Sequence, residues 1–343
     1  MTHFQPACLP TALGSLPLVD PKEACRLMIE SFPAIPAWPQ LPKRTYLENM
    51  YVQFGEGLPG SVVGDERIYV NSYQIDASLE ALYTAYLAEN IDIGAISPTF
   101  AAGLACFLGM KEEVVDCTAV KGQITGPISL GLQVTDQARR PILYDDVLAD
   151  ALVKHLQLKA RWQERELRKL CPQTIIFLDE PYLSSIGSAY VALREEQVMA
   201  CLAEVLEGIS GLKGLHCCGN TDWGLLLNLP IDIVSFDAYN YAIPLSLYSD
   251  SLKPFLRRGG IIAWGIVPNT AEALARESTD SLIRRLLDAM GLLVEKGIPL
   301  DDLIHRSLIT PSCGLGTLPV DIATAVCAQT AAVSQQLRDR DWR

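Results

Sequence analysis

Short β-rich apolar runs recur along this 343-residue chain, and between them lie longer stretches with helical spacing. Such alternation is the pattern of a parallel sheet joined by crossover helices. The runs are eight: Leu9–Gly14, Asp92–Ile96, Val114–Ile124, Thr174–Leu178, Gly214–Cys218, Ile231–Phe236, Gly260–Trp264 and Ser307–Thr310. Helices are expected over Pro21–Ser31, Tyr144–Leu170, Ala271–Glu295 and Val320–Leu337. The one over Tyr144–Leu170 has Asp145 and Asp146 in its first turn and a basic end, as the helix dipole favours. Eight strands alternating with helices predict an α/β fold, a (β/α)8 TIM barrel, over residues 1–343 as a single domain. Pro17–Asn90 is too long for an ordinary connection. With its proline-rich FPAIPAWPQLP (Phe32–Pro42) and glycine-rich FGEGLPGSVVG (Phe54–Gly64), it is expected to fold over the barrel mouth as an extended loop and helix segment.

Composition narrows the function. A formal net charge of −12 argues against broad contact with nucleic-acid phosphates. No apolar run approaches the roughly 20 residues that span a bilayer, and MTHFQPACLP lacks the order of a signal peptide, so a cytoplasmic protein is expected. The 10 Cys are scattered without a disulfide framework; Cys25, Cys106, Cys171, Cys201 and Cys327 sit in apolar patterns and are expected to be packing. Of the 4 His, His155 and His305 read as surface or local hydrogen-bonding groups. The glycines of Gly55–Gly64 follow no strand and open no helix, so they do not make a dinucleotide fingerprint, and no P-loop is present.

The strand ends carry the chemistry. In GLHCCGN alternate side chains share a face, so His216 and Cys218 point together and Cys217 points away. The strand then stops at Gly219-Asn220, which puts the pair at the carboxyl end, where barrel enzymes do their chemistry. The next strand ends at Asp237 and the last runs into Cys313. Two thiolates, an imidazole and a carboxylate delivered to one rim suit Zn²⁺. The competing reading makes Cys218 and Cys313 buried thiols and His216 a hydrogen-bonded core residue. In TIIFLDEP one of Asp179 and Glu180 should face the mouth, to hold a substrate ammonium or to bond a loop amide.

Five segments in order, GSLP (Gly14–Pro17), ITGPISL (Ile124–Leu130), LDEP (Leu178–Pro181), HxCGN (His216–Asn220) and PSCGLG (Pro311–Gly316), resemble the catalytic half of cobalamin-independent methionine synthase. They are also similar to the corrinoid methyltransferases that pass methyl groups to thiols, in the uroporphyrinogen decarboxylase superfamily. The resemblance runs from about residue 9 to the C-terminus. It implies zinc held by His216, Cys218 and Cys313, with Asp237 as a fourth ligand where the family usually has glutamate. It implies that Ser15, with Gly14 beside it, holds an amino-acid carboxylate, and that Asp179 receives the ammonium.

A zinc-dependent methyltransferase acting on a small thiol, homocysteine first, is therefore the expected activity. The implied donor is methylcobalamin, free or on a corrinoid protein partner, because folate-using enzymes carry a further barrel and the run D-I-H-S where this chain reads AWGIVPN (Ala263–Asn269). The acceptor stays open to another small thiol of the coenzyme M type. In ENMYVQFGEG the family's glutamate position reads Val52-Gln53, with Glu48 or Glu56 as substitutes. A barrel that binds a corrinoid or tetrapyrrole around a structural zinc is the alternative from another class.

Overall fold

A computed structural model describes residues 4–65, 67–188 and 191–342. Its strands, in chain order, are β1 (Leu9–Pro10), β2 (Ser61–Val63), β3 (Ile68–Val70), β4 (Val120–Thr125), β5 (Thr135–Asp136), β6 (Thr174–Asp179), β7 (Leu212–Cys217), β8 (Ile233–Phe236), β9 (Ile261–Val267) and β10 (Ser307–Pro311). Seven of them form one parallel sheet in the order β1, β10, β9, β8, β7, β6, β4. The α/β barrel-like fold is thus as expected. Among the described residues, no helix is long and apolar enough to cross a membrane.

The eighth wall position is filled by the proline-rich segment, which the sequence reading placed over the mouth. On one side Lys121 N–H donates to Pro36 O (2.9 Å) and Trp38 N–H to Lys121 O (3.3 Å). On the other, Gln40 N–H donates to Gly14 O (3.1 Å) and Leu16 N–H to Gln40 O (2.9 Å). The segment therefore joins the two edge strands, β4 and β1, with parallel bridges Ala37 to Lys121 and Ser15 to Gln40. Pro36 and Pro39 have no N–H, which limits regular pairing and hides the strand from a pattern search.

Asp92–Ile96, expected as the second strand, is instead within and beyond a 3₁₀ turn, Ile91–Gly94, started by the Asn90 side chain accepting from Asp92 N–H (3.2 Å). It lies outside the wall against the helix Asp146–Leu167, and a Cβ at Gly94 would overlap the Leu158 carbonyl. That helix starts where its acidic signal indicated, with Asp145 Oδ1 accepting from Val147 and Leu148 N–H. The stretch Ala271–Glu295 is two helices, Ala271–Leu274 and Thr279–Val294, because Ser278 and Ser281 form a capping box between them.

Inside the barrel, each wall element contributes to an apolar plug. Leu9, Ile35, Ala119, Ile175, Phe177, Ile233, Ile261, Ala263 and Leu308 pack together, with Leu212 against them. Gly214 faces Phe177 with no room for a Cβ, so that ring reaches across. The plug closes the lower barrel and leaves function to the upper rim. Over the mouth, the short helices Tyr46–Glu48 and Met50–Gln53 do roof the barrel, so part of the expected covering segment is there.

Gly103 packs its α-carbon against the bridging segment, where a Cβ would overlap the Pro39 carbonyl oxygen. Backbone cannot swing aside as a side chain can, so Gly103→Ala should lower stability by about 1–3 kcal/mol in urea unfolding. A neutral result would show that the segment is loosely held.

Candidate metal centre and its cavity

His216, Cys218 and Cys313 converge at the rim. Their Nδ1 or Nε2 and Sγ atoms all lie within 4.8 Å of one another. Ligands bound to a tetrahedral zinc at 2.0–2.3 Å stand about 3–4 Å apart, so a small movement closes this set on an ion. β7 delivers His216 directly, and Cys218 follows at the next position on the same face. Cys313 comes two residues beyond β10. Cys217 points away and is buried, as the alternation predicted.

The imidazole is oriented from behind. His216 pairs in register with Ser235 of β8, and its Nδ1 lies 3.0 Å from Ser235 Oγ. With Nδ1–H donating to that hydroxyl, Nε2 turns its lone pair toward the thiols. Nε2 is buried and has no hydrogen-bond partner. A buried orphan nitrogen is costly unless something binds it, and a lone pair aimed at two thiols fits a metal ion.

Electrostatics agree with that donor set. The Cys218 thiol is pushed down to about 4, first by the hydrogen bond it shares with Cys313 and then by the neighbouring imidazole. Cys313 is pushed up by the same hydrogen bond and by burial. The two thiols therefore titrate as a pair that holds one negative charge at neutral pH. This is the charge state a soft divalent ion would draw on.

Asp237 stands apart from the cluster. Its Oδ1 accepts from Asn240 N–H (3.0 Å) and its Oδ2 from Asn240 Nδ2 (2.6 Å), so it caps the helix Ala238–Ser246. Each oxygen accepts one local hydrogen bond, and the three-residue group forms without it.

The cluster opens into a cavity of about 370 Å³ with a mostly apolar wall, including Leu13, Pro42, Met50, Tyr51 and Pro181. Its polar groups sit at two places. At one, Ser15 meets the loop after β10: Gly316 N–H donates to Ser15 Oγ (3.3 Å) and Leu315 N–H to Ser15 O (3.0 Å). A Cβ on Gly314 would overlap Ser15 Oγ, so this contact needs the glycine. Gly14 stands behind Ser15, at φ +134°, rather than in the cavity wall.

At the other place is Asp179. Its Oδ1 is buried without a partner, and burial pushes its carboxyl up to about 6 against the opposing charges of Lys121 and His216. Glu180 takes the inward structural role. It accepts from Ile128 N–H, Ser129 N–H and Ser129 Oγ–H (2.9, 2.7 and 2.5 Å), which leaves Asp179 to the cavity. Glu48 also lines the cavity, its Oε1 paired with Arg44 (2.7 Å) and its Oε2 buried without a partner, while Glu56 accepts from Ser97 N–H (2.9 Å) elsewhere.

His155 is not a surface group. It is buried, 2.9 Å from Phe54 O, and burial pushes its pKa down to about 3. His305 is exposed, with Nδ1 2.8 Å from Asp301 O. Ser235 was missed by the sequence reading, although its place two residues before Asp237 puts it on the same strand face. Lys121 was missed too; a lysine inside the apolar run AVKGQIT was its signal.

No protein-family model matches this chain, and no curated protein matches it. Among solved structures, a B12-independent methionine synthase from Shewanella sp. W3-18-1, in complex with selenomethionine, aligns over 96% of this chain and 98% of that one, at 17% identity and TM-score 0.58. A methyltransferase from Methanosarcina mazei aligns over 96% of this chain and 94% of that one, at 14% identity and TM-score 0.59. This chain shares their fold along nearly its whole length.

The centre makes a graded prediction. Ser235→Ala, which frees the imidazole, should weaken zinc binding by about 10-fold in competition with a chromophoric chelator. Cys313→Ser should weaken it further with the thermal midpoint of the metal-free chain unchanged. Tight zinc binding by Cys313→Ser would remove that cysteine from the ligand set.

Proposed function

We propose that this protein is a zinc-dependent methyltransferase that methylates the sulfur of a small amino-acid thiol, homocysteine in the first instance, to give methionine. The observation that carries this reading is the buried, partnerless Nε2 of His216 facing two thiols at the floor of a cavity with a hydroxyl at one place and an unpaired carboxylate at another. When bound, zinc held by His216, Cys218 and Cys313 would take the acceptor sulfur as a thiolate, which at neutral pH is scarce for a free thiol of pKa near 8.5.

The chain's own groups do the rest. Ser15 and the amides around it hold the acceptor's carboxylate. Asp179 Oδ1 takes the ammonium, an ion pair worth more in this apolar cavity than in water. Together they fix the sulfur's position, so that transfer begins from an aligned pair and not from chance encounter. The new S–CH3 bond forms as the donor's bond to the methyl group breaks, and the demethylated donor leaves through the mouth.

A cavity of about 370 Å³ suits an amino-acid thiol and is too small for a corrinoid. A methylcobalamin donor, free or carried by a partner protein, would present its methyl group from the mouth, beneath Asn49, Met50 and Tyr51. That donor rests on the sequence resemblance; the Shewanella relative in fold is B12-independent and lends it no support.

Zinc-loaded protein given homocysteine and methylcobalamin should form methionine and demethylated cobalamin in equal amounts. Asp179→Asn should raise the KM for homocysteine by about 10-fold or more with zinc content unchanged, since one charge-assisted contact is removed. Methylation of coenzyme M with none of homocysteine would replace the acceptor. Thiol binding with no transfer from methylcobalamin would overturn the donor, and zinc that no thiol can reach would make the metal structural.

A further inference from the structure

A lysine lies inside the barrel beneath the cavity. Lys121 is fully buried on β4, four residues before the strand ends, and is not part of the cavity wall. Its ammonium donates to Leu13 O (2.9 Å) and to Gln123 Oε1 (3.2 Å) and lies 4.4 Å from the centre of the Phe177 ring. Beside it are Leu13, Ile175 and Phe177, among which a methionine would pack without giving up the hydration of an ammonium. Core packing therefore does not call for this charge.

What the charge reaches is the turn that carries Ser15. Leu13, whose carbonyl it holds, is two residues upstream. Gln123, which it also holds, donates through Nε2 to Trp38 O (3.2 Å) and presses its amide on the α-carbon of Gly14, where a Cβ would lie 2.5 Å away. Gly14 has φ +134°, a backbone conformation that side chains rarely adopt. The turn is thus held from below by one cation and one amide.

We propose that Lys121 is a positioning residue for acceptor recognition: by fixing Leu13 O and Gln123 it sets the Gly14 turn, and with it the Ser15 groups that take the acceptor's carboxylate. This rests on the function proposed above. Lys121 touches no substrate, but its charge also faces the Asp179 carboxyl; the role at Ser15 is therefore read by a change that loosens Lys121 while keeping its charge.

The test compares two thiols that differ only in the carboxylate. Homocysteine and 3-aminopropanethiol are titrated into zinc-loaded protein by calorimetry. In Gln123→Leu, which removes the oxygen that holds Lys121 and keeps the lysine's charge, homocysteine affinity should fall about 10-fold while 3-aminopropanethiol stays within about 2-fold and zinc content is unchanged. In Lys121→Met, which also strips Asp179 of its facing cation, both thiols should weaken, homocysteine by about 10-fold more than 3-aminopropanethiol. Equal losses for both thiols, or none, would overturn the proposal. Wild-type protein that binds both thiols equally would overturn it while leaving the thiol site intact; wild-type protein that binds neither would overturn the proposed function first.

Discussion

A parallel sheet has an inside only when its edges meet. Here they meet through four backbone hydrogen bonds made by a stretch of chain with three prolines in seven residues, Pro36 to Pro42. Those bonds bring the ends of β1 and β4 into one ring. Ser15 meets the loop after β10 because β1 and β10 are neighbours, and the curvature of the closed ring turns His216 and Cys218, three strands away, toward Cys313. The closure is secured from outside as well: Trp38 Nε1–H donates to Gln163 Oε1 (3.1 Å), and Gln163 Nε2–H to Gln123 O (3.1 Å). The three converging side chains and the cavity thus depend on a segment that also supplies Gln40 and Pro42 to the cavity wall.

Above the plug, polarity rises in steps. Apolar side chains fill the floor, then come Lys121, Gln123 and Ser235, and at the rim stand the thiols and Asp179. Lys121 and Asp179 are moved from their ordinary states by burial first and by their neighbours second. Lys121 is pushed down to about 8 and Asp179 up to about 6, and each partly restores the other. The rim is therefore poised to accept positive charge, from a metal at one point and an ammonium at another.

Much of this was legible in the chain. β6 to β10 were found because buried parallel strands are continuous apolar runs with turn residues at their ends, and period-two alternation paired His216 with Cys218. The bridging strand was not found because proline removes the donors by which strands are recognised and marks a loop in any pattern search. The run Asp92–Ile96 reads as a strand because it is short and apolar, whereas the turn at its start is set by Asn90 and by contact with a distant helix. Asp237 was placed at the correct strand end. That its oxygens turn to Asn240 depends on side-chain length and the start of the next helix, which spacing does not reveal.

The contact of Ser15 with Gly314 and Gly316 binds the fates of two jobs together. Cys313 sits immediately before Gly314, so the proposed anchor of the acceptor and a proposed ligand of the metal meet in one loop. A substitution that reshapes the Ser15 side to admit a different acceptor also shifts Cys313. The opposite wall, Glu48 to Tyr51, holds none of the three converging side chains and belongs to short helices outside the sheet. Divergence toward new acceptors is therefore channelled to that wall, and lineages of such a barrel would keep their first and last strand ends constant while the roof varies.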